Sequence, residues 1–286
     1  MLTNSLFLAS SSAITSKIRP FYTLCTIMKH VIQVNIPYHM LLQNLDFILE
    51  RKINPEIYFD GEALDTFKEK DAHSIVRAIT SKKLSITIHA PFMDLSPGAV
   101  DTKIRKTTRD RLCAMLRIAA FFHPKLIVFH PGYNKWFFDG NVKLWLENSL
   151  TTWEPVVKKA EKMGIPLAVE NIFEEEPSSL LQLISAVNSP VFNFCFDTGH
   201  YHLFSTVPME AWFTSLAPYI QEVHVHDNCK SSDEHLPMGD GDIDFDLFFR
   251  LIRRYSVHPI YTIEPHKVDD LERSLERCNH FLTLKE

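Results

Sequence analysis

No stretch of the 286-residue chain approaches the ~20 consecutive apolar residues that a membrane-spanning helix needs. Basic residues are not in excess either: 30 Lys and Arg stand against 35 Asp and Glu, a net charge of −5. That balance offers no broad surface to nucleic acid or to an anionic membrane, although it does not exclude a local basic channel. Cysteine is sparse. Cys25, Cys113, Cys195, Cys229 and Cys278 are odd in number, scattered, and without C-x-x-C spacing. A reduced, cytoplasmic setting is expected rather than a disulfide scaffold. Linkers and low-complexity stretches are also lacking, so one domain is expected.

Residues 1–28 contain no acidic residue, and seven Ser or Thr crowd the run LTNSLFLASSSAITSK. Its apolar part, LFLA, is too short and too interrupted by Ser for a secretory signal core. Met28 is followed by KHVIQVNIP, which reads as a natural start leading into a first strand. Residues 1–27 are therefore expected to be a disordered or mis-assigned extension, and 28–286 the domain.

From there apolar runs and amphipathic segments alternate. The runs are VIQVNI (31–36), EIYF (56–59), SITIHA (85–90), KLIVFH (125–130), PLAVE (166–170), FNFCFD (192–197), IQEVHVH (220–226) and IYTIE (260–264). Helical periodicity marks 40–52, 108–122, 143–164, 244–256 and 269–283. Gly164 reads as a helix stop, and Pro208 with Glu210 as a first helical turn. Eight strand–helix units predict an α/β fold, a single-domain (β/α)8 TIM barrel, rather than an open sheet.

Polar residues stand where these apolar strands end. Glu170, Asp197, His224 and Glu264 close four consecutive runs. His89, His130, His200, Asp233 and His235 hold comparable places. Strands prefer β-branched and aromatic residues, so these polar ends require a cause. Carboxylates and imidazoles are what Zn and Mn choose, and the strand C-termini are where such barrels place their sites. His226 lies two residues beyond His224, so both would share one side of the strand and compete as ligands. It is read as structural, or as support behind His224. His73, His123, His258 and His280 lie away from strand ends and are read as ordinary, as are His202 and His266. Asp227 and Asn228 suit a turn. Asp240, Asp242 and Asp244 lack the spacing and terminal Glu of a calcium loop. Glu174–Glu176 read as a solvated face.

HAPF, FHPG, VEN, FDTGH, HVHDN, DEHLPMGDGDID and IEPH resemble motifs that recur in this order in the xylose isomerase-like barrels, over residues 30–285. That superfamily also contains endonuclease IV, the metal-dependent apurinic-site nuclease. Its nuclease branch implies three Zn ions: His89 and His130 on the first, Glu170 bridging to a second with Asp197, His224 and Glu264, and His200, Asp233 and His235 on the third. Its isomerase and epimerase branch implies one Mn- or Co-type ion on Glu170, Asp197, His224 and Glu264.

The complete set of nine points first to a metal-dependent phosphodiester or phosphoester hydrolase, with clustered Zn ions activating water and Glu170 beside it. The alternative is a sugar or sugar-phosphate isomerase or epimerase, with Glu170 and Glu264 as catalytic carboxylates. A barrel that only binds a ligand is the third class. The loop after His89 carries Asp94 and Asp101 against one Lys, and the loop after His130 offers Tyr133, Lys135, Trp136, Phe137 and Phe138. An aromatic, mildly basic rim fits a bulky small molecule, such as a cobamide nucleotide loop, better than DNA.

Overall fold

The computed structural model describes residues 30–283, so the expectation for residues 1–27 lies outside the described residues. Eight strands form: β1 Val31–Pro37, β2 Asn54–Tyr58, β3 Thr87–His89, β4 Ile127–Phe129, β5 Leu167–Glu170, β6 Phe192–Asp197, β7 Ile220–Val225 and β8 Ile260–Ile263. All pair parallel in sequence order, and β8 closes on β1. The fold is the closed TIM barrel that the alternation predicts. Strands β3, β4 and β5 are buried at every position, because a parallel barrel is covered on both faces.

Eleven helices fill the connections among the described residues: α1 Tyr38–Gln43, α2 Leu45–Arg51, α3 Gly61–Asp65, α4 Glu69–Ser81, α5 Thr102–Phe122, α6 Val142–Met163, α7 Ser178–Val187, α8 Thr198–Phe204, α9 Met209–Leu216, α10 Phe245–Arg254 and α11 Val268–Thr283. Two differ from the sequence expectation. The segment 40–52 is two helices, because Asn44 leaves helical geometry and its side-chain amide bonds back to the Met40 carbonyl. Helix α5 begins at Thr102 rather than 108, because the Asp101 carboxylate caps it by accepting from the Lys103 and Ile104 amides. Gly164 ends α6 with φ of 65°, the left-handed cap that glycine adopts without strain. No helix among the described residues is long and apolar enough to cross a membrane.

Strand parity arranges the barrel interior in layers. Residues two apart on a strand share a side. Gln33, Glu56, Thr87, Val128, Ala168, Cys195, Glu222 and Thr262 therefore fall beneath Asn35, Tyr58, His89, His130, Glu170, Asp197, His224 and Glu264. The lower layer is apolar on one side, where Val128, Ala168 and Cys195 cluster with Leu126. On the other side it is polar and buried. Gln33 donates to Thr87, Thr262 donates to Glu222, and Asn35 donates to Glu56 at 2.6 Å.

The loop after β3 leans on α6. A Cβ added to Gly98 would lie 2.3 Å from Cδ1 of the fully buried Trp145 and 2.6 Å from Ser149 Oγ. Trp145 is held by the core and cannot retreat. Gly98→Ala should therefore cost roughly 1–3 kcal/mol of stability. Urea unfolding measures it, and a loss within error of zero would show that this loop is not packed as described.

Candidate metal centre

Strands β5 to β8 bring residues at or next to their C-terminal ends to one point. His224 Nδ1, fully buried, lies 3.4 Å from Glu170 Oε2, 3.5 Å from Glu264 Oε1 and 3.8 Å from Asp197 Oδ2. Each side chain has one role fixed by its neighbours. Asp197 uses Oδ1 to cap α8 by accepting from the His200 amide at 2.6 Å, which turns Oδ2 toward the mouth. The other His224 nitrogen, Nε2, is 3.4 Å from Glu56 Oε1. A carboxylate behind the ring in this way fixes which nitrogen carries the proton and leaves Nδ1 as the free lone pair.

A second grouping shares Glu170. His89 Nε2 is 3.1 Å and His130 Nε2 is 3.5 Å from Glu170 Oε2. His89 Nδ1 is 3.0 Å from the Ala90 carbonyl, and the ring of Phe92 stacks on His130 with centroids 4.1 Å apart. A third grouping comes from the long loop after β7. His235 Nε2 is 3.1 Å from Asp233 Oδ2, and His200 Nε2 is 3.3 Å from the same oxygen. All nine residues named from the sequence thus face one mouth, linked by contacts of 3.8 Å or less.

That long loop is built around Asp227. Its Oδ1 accepts from the Asn228 and Ile243 amides and its Oδ2 from the Gly239 and Gly241 amides, all within 3.1 Å. Its own backbone pairs with Leu236. A Cβ on Gly241 would lie 2.4 Å from Asp227 Oδ1, and Gly239 has φ of 80°. The spacing of HVHDN and LPMGDGDI thereby acquires a cause: one carboxylate winds the loop that delivers Asp233 and His235. Two of the three acidic residues nearby have structural side-chain roles. Asp240 pairs with Arg273 and Arg277, and Asp244 caps α10.

Electrostatics tie these groups together. Burial pushes the Glu170 carboxyl up, but the His224 and His130 imidazoles outweigh it and hold the group well below the usual range. Burial likewise pushes Asp197 up, and the His200 and His226 imidazoles reverse that rise. For His200 and His224 burial pulls down, while Asp197 and, respectively, Cys195 with Glu264 drive them well above the ordinary value. His130 goes the other way, to about 4, because burial exceeds the pull of Glu170. Proton-like charge is thus demanded at the centre of the mouth. The ion pairs around these carboxylates are all with imidazoles, and no Lys or Arg pairs with any of the nine in the contacts described. The buried Nδ1 atoms of His200, His224 and His226 make no hydrogen bond. Carboxylates with no Lys or Arg paired to them, facing imidazoles that can exchange a proton for a metal, form a set that fits a divalent ion of the Zn or Mn type.

Several residues differ from the sequence reading or were not singled out by it. Glu56 and Glu222 are fully buried beneath the mouth; they sit mid-strand, where a sequence pattern shows only a broken alternation. Burial and the nearby Glu56 charge raise the Glu222 carboxyl well above its usual value, so one of the two is protonated. Glu174 is not on a solvated face: it is 2% exposed, and its carboxylate accepts from the Ile172 amide. Glu175 pairs with Lys135. His226 is in the cluster, with Nε2 3.0 Å from Asp197 Oδ2. His266 is also no bystander, since its ring stacks on His235 at 3.8 Å. His202 does fill an ordinary role, pairing with the Asn228 side chain. In the rim loop Phe138 is buried against Tyr133, whereas Trp136 and Phe137 are 79% and 86% exposed.

The molecule is a closed parallel TIM barrel with a cluster of candidate metal donors at its C-terminal mouth. The chain belongs to the xylose isomerase-like TIM barrel family, whose model matches residues 56–281. It is 28% identical over 212 residues to the uncharacterized protein MJ1311 of Methanocaldococcus jannaschii, covering 71% of each chain. Among solved structures, a D-tagatose 3-epimerase-like protein superposes with a TM-score of 0.76 at 26% identity, over 88% of this chain and 97% of that one. The TTHB071 protein from Thermus thermophilus, soaked with ZnCl2, does so with a TM-score of 0.71 at 22% identity, over 87% and 97%.

Two measurements probe the shell of the site. Asp227→Asn replaces one acceptor oxygen by a donor facing two amides, which should cost about 2–4 kcal/mol; an unchanged urea midpoint would remove Asp227 as the loop's organiser. Glu174 tests the electrostatics. Burial raises its carboxyl to about 7 from an ordinary value of 4.5. The folded state therefore keeps this proton where the unfolded chain has released it. Stability declines as pH rises from about 4.5 to 7 and stays lower above that. Glu174→Gln should gain about 1–3 kcal/mol over wild type at alkaline pH and nothing at pH below the window. Parallel denaturation curves with a pH-independent difference would refute the buried, raised carboxyl.

Proposed function

We propose that this protein is a divalent-metal-dependent sugar isomerase or epimerase acting on a small, unphosphorylated sugar. The observation that carries it is the single buried nitrogen, His224 Nδ1, with Glu170, Asp197 and Glu264 all within 3.8 Å. That is a complete four-residue set for one ion. A divalent ion bound there would polarise the carbonyl and adjacent hydroxyl oxygens of an α-hydroxy carbonyl.

The remaining work falls to the chain's own carboxylates. Glu170 and Glu264 project from β5 and β8, on separated walls of the mouth. A sugar lying between them presents one face of its reacting carbon to each. One carboxylate takes the proton from the carbon next to the carbonyl, and the carbon becomes planar. Delivery of a proton by the opposite carboxyl group, which enters the step as the neutral acid and leaves it as the carboxylate, inverts that carbon, which is epimerisation. Return to the neighbouring carbon gives isomerisation. Glu170 is 1% exposed and held ionised by its imidazoles, which suits the proton acceptor. Glu264 is 13% exposed at its side chain and stands nearer the solvent edge. A phosphate group on the substrate would need Lys or Arg to receive it. Lys135, at the rim, is already paired with Glu175. The likeness to a D-tagatose 3-epimerase-like protein supports the same chemistry.

Phosphoester hydrolysis is the second reading. It rests on the His89–His130–Glu170 grouping, whose ligand atoms lie within 4.8 Å of one another and which a one-ion isomerase does not require. Solvent exchange decides between them. In deuterated water the metal-loaded protein should place deuterium on carbon in a panel of free ketoses. Glu170→Gln and Glu264→Gln should each slow that exchange by roughly 10²–10⁴-fold. Phosphodiester cleavage without any carbon-bound deuterium would reverse the order of the two.

A further inference from the structure

His226 is the residue that the resemblance leaves without a task, and the structure surrounds it with constraints. Its ring is 2% exposed. Its backbone amide donates to Thr198 Oγ1, and that hydroxyl in turn bonds to the His226 carbonyl at 2.8 Å. A Cβ on Gly199 would lie 2.0 Å from the His226 ring. The glycine of FDTGH is therefore the floor on which the second histidine of HVHDN lies. Two motifs on adjacent strands are matched to seat this one imidazole.

Its two nitrogens face different partners. Nε2 is 3.0 Å from Asp197 Oδ2, so it carries the proton and donates. Nδ1 is then a lone pair. It is buried, makes no hydrogen bond, and points toward Asp233, whose Oδ1 is 3.7 Å away. His235 is fixed in the same sense. Its Nδ1 donates to the Glu264 carbonyl at 2.9 Å, leaving Nε2 to face Asp233 Oδ2 at 3.1 Å. The donor atoms of His226, Asp233 and His235 lie within 4.8 Å of one another. His200 Nε2 approaches the same carboxylate at 3.3 Å.

We propose that His226 is a metal ligand, and that with Asp233, His235 and His200 it closes an auxiliary four-donor site for a Zn-type ion beside the four-residue centre. Three histidines and one aspartate complete a tetrahedron. Without His226 the set has three protein ligands and an open position, the arrangement that activates water. With it the position is filled and the ion is structural. Asp197 then serves both centres, as a donor at the first and as the hydrogen-bond partner that orients His226 at the second. The rings of His226 and His235 lie parallel at 3.9 Å, so binding requires one to tilt. His235, on the loop that Asp227 winds, is stacked on its other side against His266 at 3.8 Å, so those two rings would shift together. The assignment is independent of the isomerising chemistry, which needs only the first centre.

Cobalt is the probe. Chelator-treated protein titrated with Co²⁺ should bind two ions per chain or more, one of them with the intense visible absorption of tetrahedral cobalt. His226→Asn, which removes the lone pair and keeps a polar group, should weaken that ion at least tenfold and abolish its absorption. Asp233→Asn should lose the same band, while the remaining ion persists in both variants. A wild-type protein that binds a single ion overturns the proposal. So does a His226→Asn protein with an unchanged band and affinity. Should His226→Asn fail to fold, proton NMR of the wild-type cobalt protein answers directly: a cobalt-shifted Nε2–H of His226 is expected, and its absence overturns the assignment. Loss of sugar turnover with the band intact would count against the function proposed above and leave this site standing.

Discussion

Buried negative charge that, among the described residues, is paired with imidazoles and not with Lys or Arg is the constraint on which the rest of this structure depends. Glu56, Glu170 and Asp197 are each 1% exposed or less. Removing one ionised carboxylate from water is costly, and placing several together adds mutual repulsion. Proteins usually answer with Arg or Lys. Here the answer is a ring of imidazoles from β3, β4, β7, α8 and the loop after β7. Imidazoles can give up their protons to a metal ion and remain as neutral donors, which guanidinium and ammonium groups cannot. The composition of the mouth is therefore a choice of chemistry as well as of charge.

The same constraint reaches downward. His224 connects the mouth to the layer beneath through Glu56, and Glu56 bears on Glu222, which stays protonated because two adjacent carboxylates cannot both ionise in so dry a place. Thr262 and Thr87 supply hydroxyls to that protonated acid. The polar half of the lower layer supports the ligand shell from behind. Its apolar half, Val128, Ala168 and Cys195, lies under His130, Glu170 and Asp197 and supplies packing instead. A barrel filled wholly with aliphatic side chains would hold the ligands without fixing their tautomers.

The fold is legible because eight apolar runs at regular spacing leave little choice of architecture, and the candidate site is legible because its candidate donors stand at or beyond the ends of those runs. Strand parity then fixes their direction: Glu170, Asp197 and Glu264 each stand two residues after an inward-facing Ala168, Cys195 or Thr262. What escaped was everything that depends on contacts between strands. Glu56 and Glu222 interrupt their strands with a charge that carries no signal until β2 and β7 are brought across the barrel from one another. Asp227 looks like a turn residue because the four amides it gathers lie up to sixteen positions away. Spacing makes His226 a rival of His224 and the family resemblance favours His224, since nothing in HVHDN reveals that Gly199 makes room for the second ring. Asn44 and Asp101 moved helix boundaries through side-chain bonds to backbone, a local effect that periodicity does not register.

Substrate charge and the apolar rim bear on one another. Phe138 is spent on packing against Tyr133, but Trp136 and Phe137 stand in solvent beside the mouth loop, and Phe173 from the loop after β5 is 45% exposed. Proton transfer from carbon is aided when water is excluded from the carboxylates that perform it. Glu170 is already dry, whereas Glu264 lies nearer the edge, so a substrate that covers Glu264 would equalise the two walls. A polyanion would bring its own hydration, and among the described residues no guanidinium is paired with the nine donors to replace it. A neutral sugar brings hydroxyl groups that the surrounding carboxylates can accept from, with an apolar lip above to shed water as it settles. Charge balance in the interior and the exposed aromatics at the rim thus favour the same kind of ligand, for two separate physical reasons.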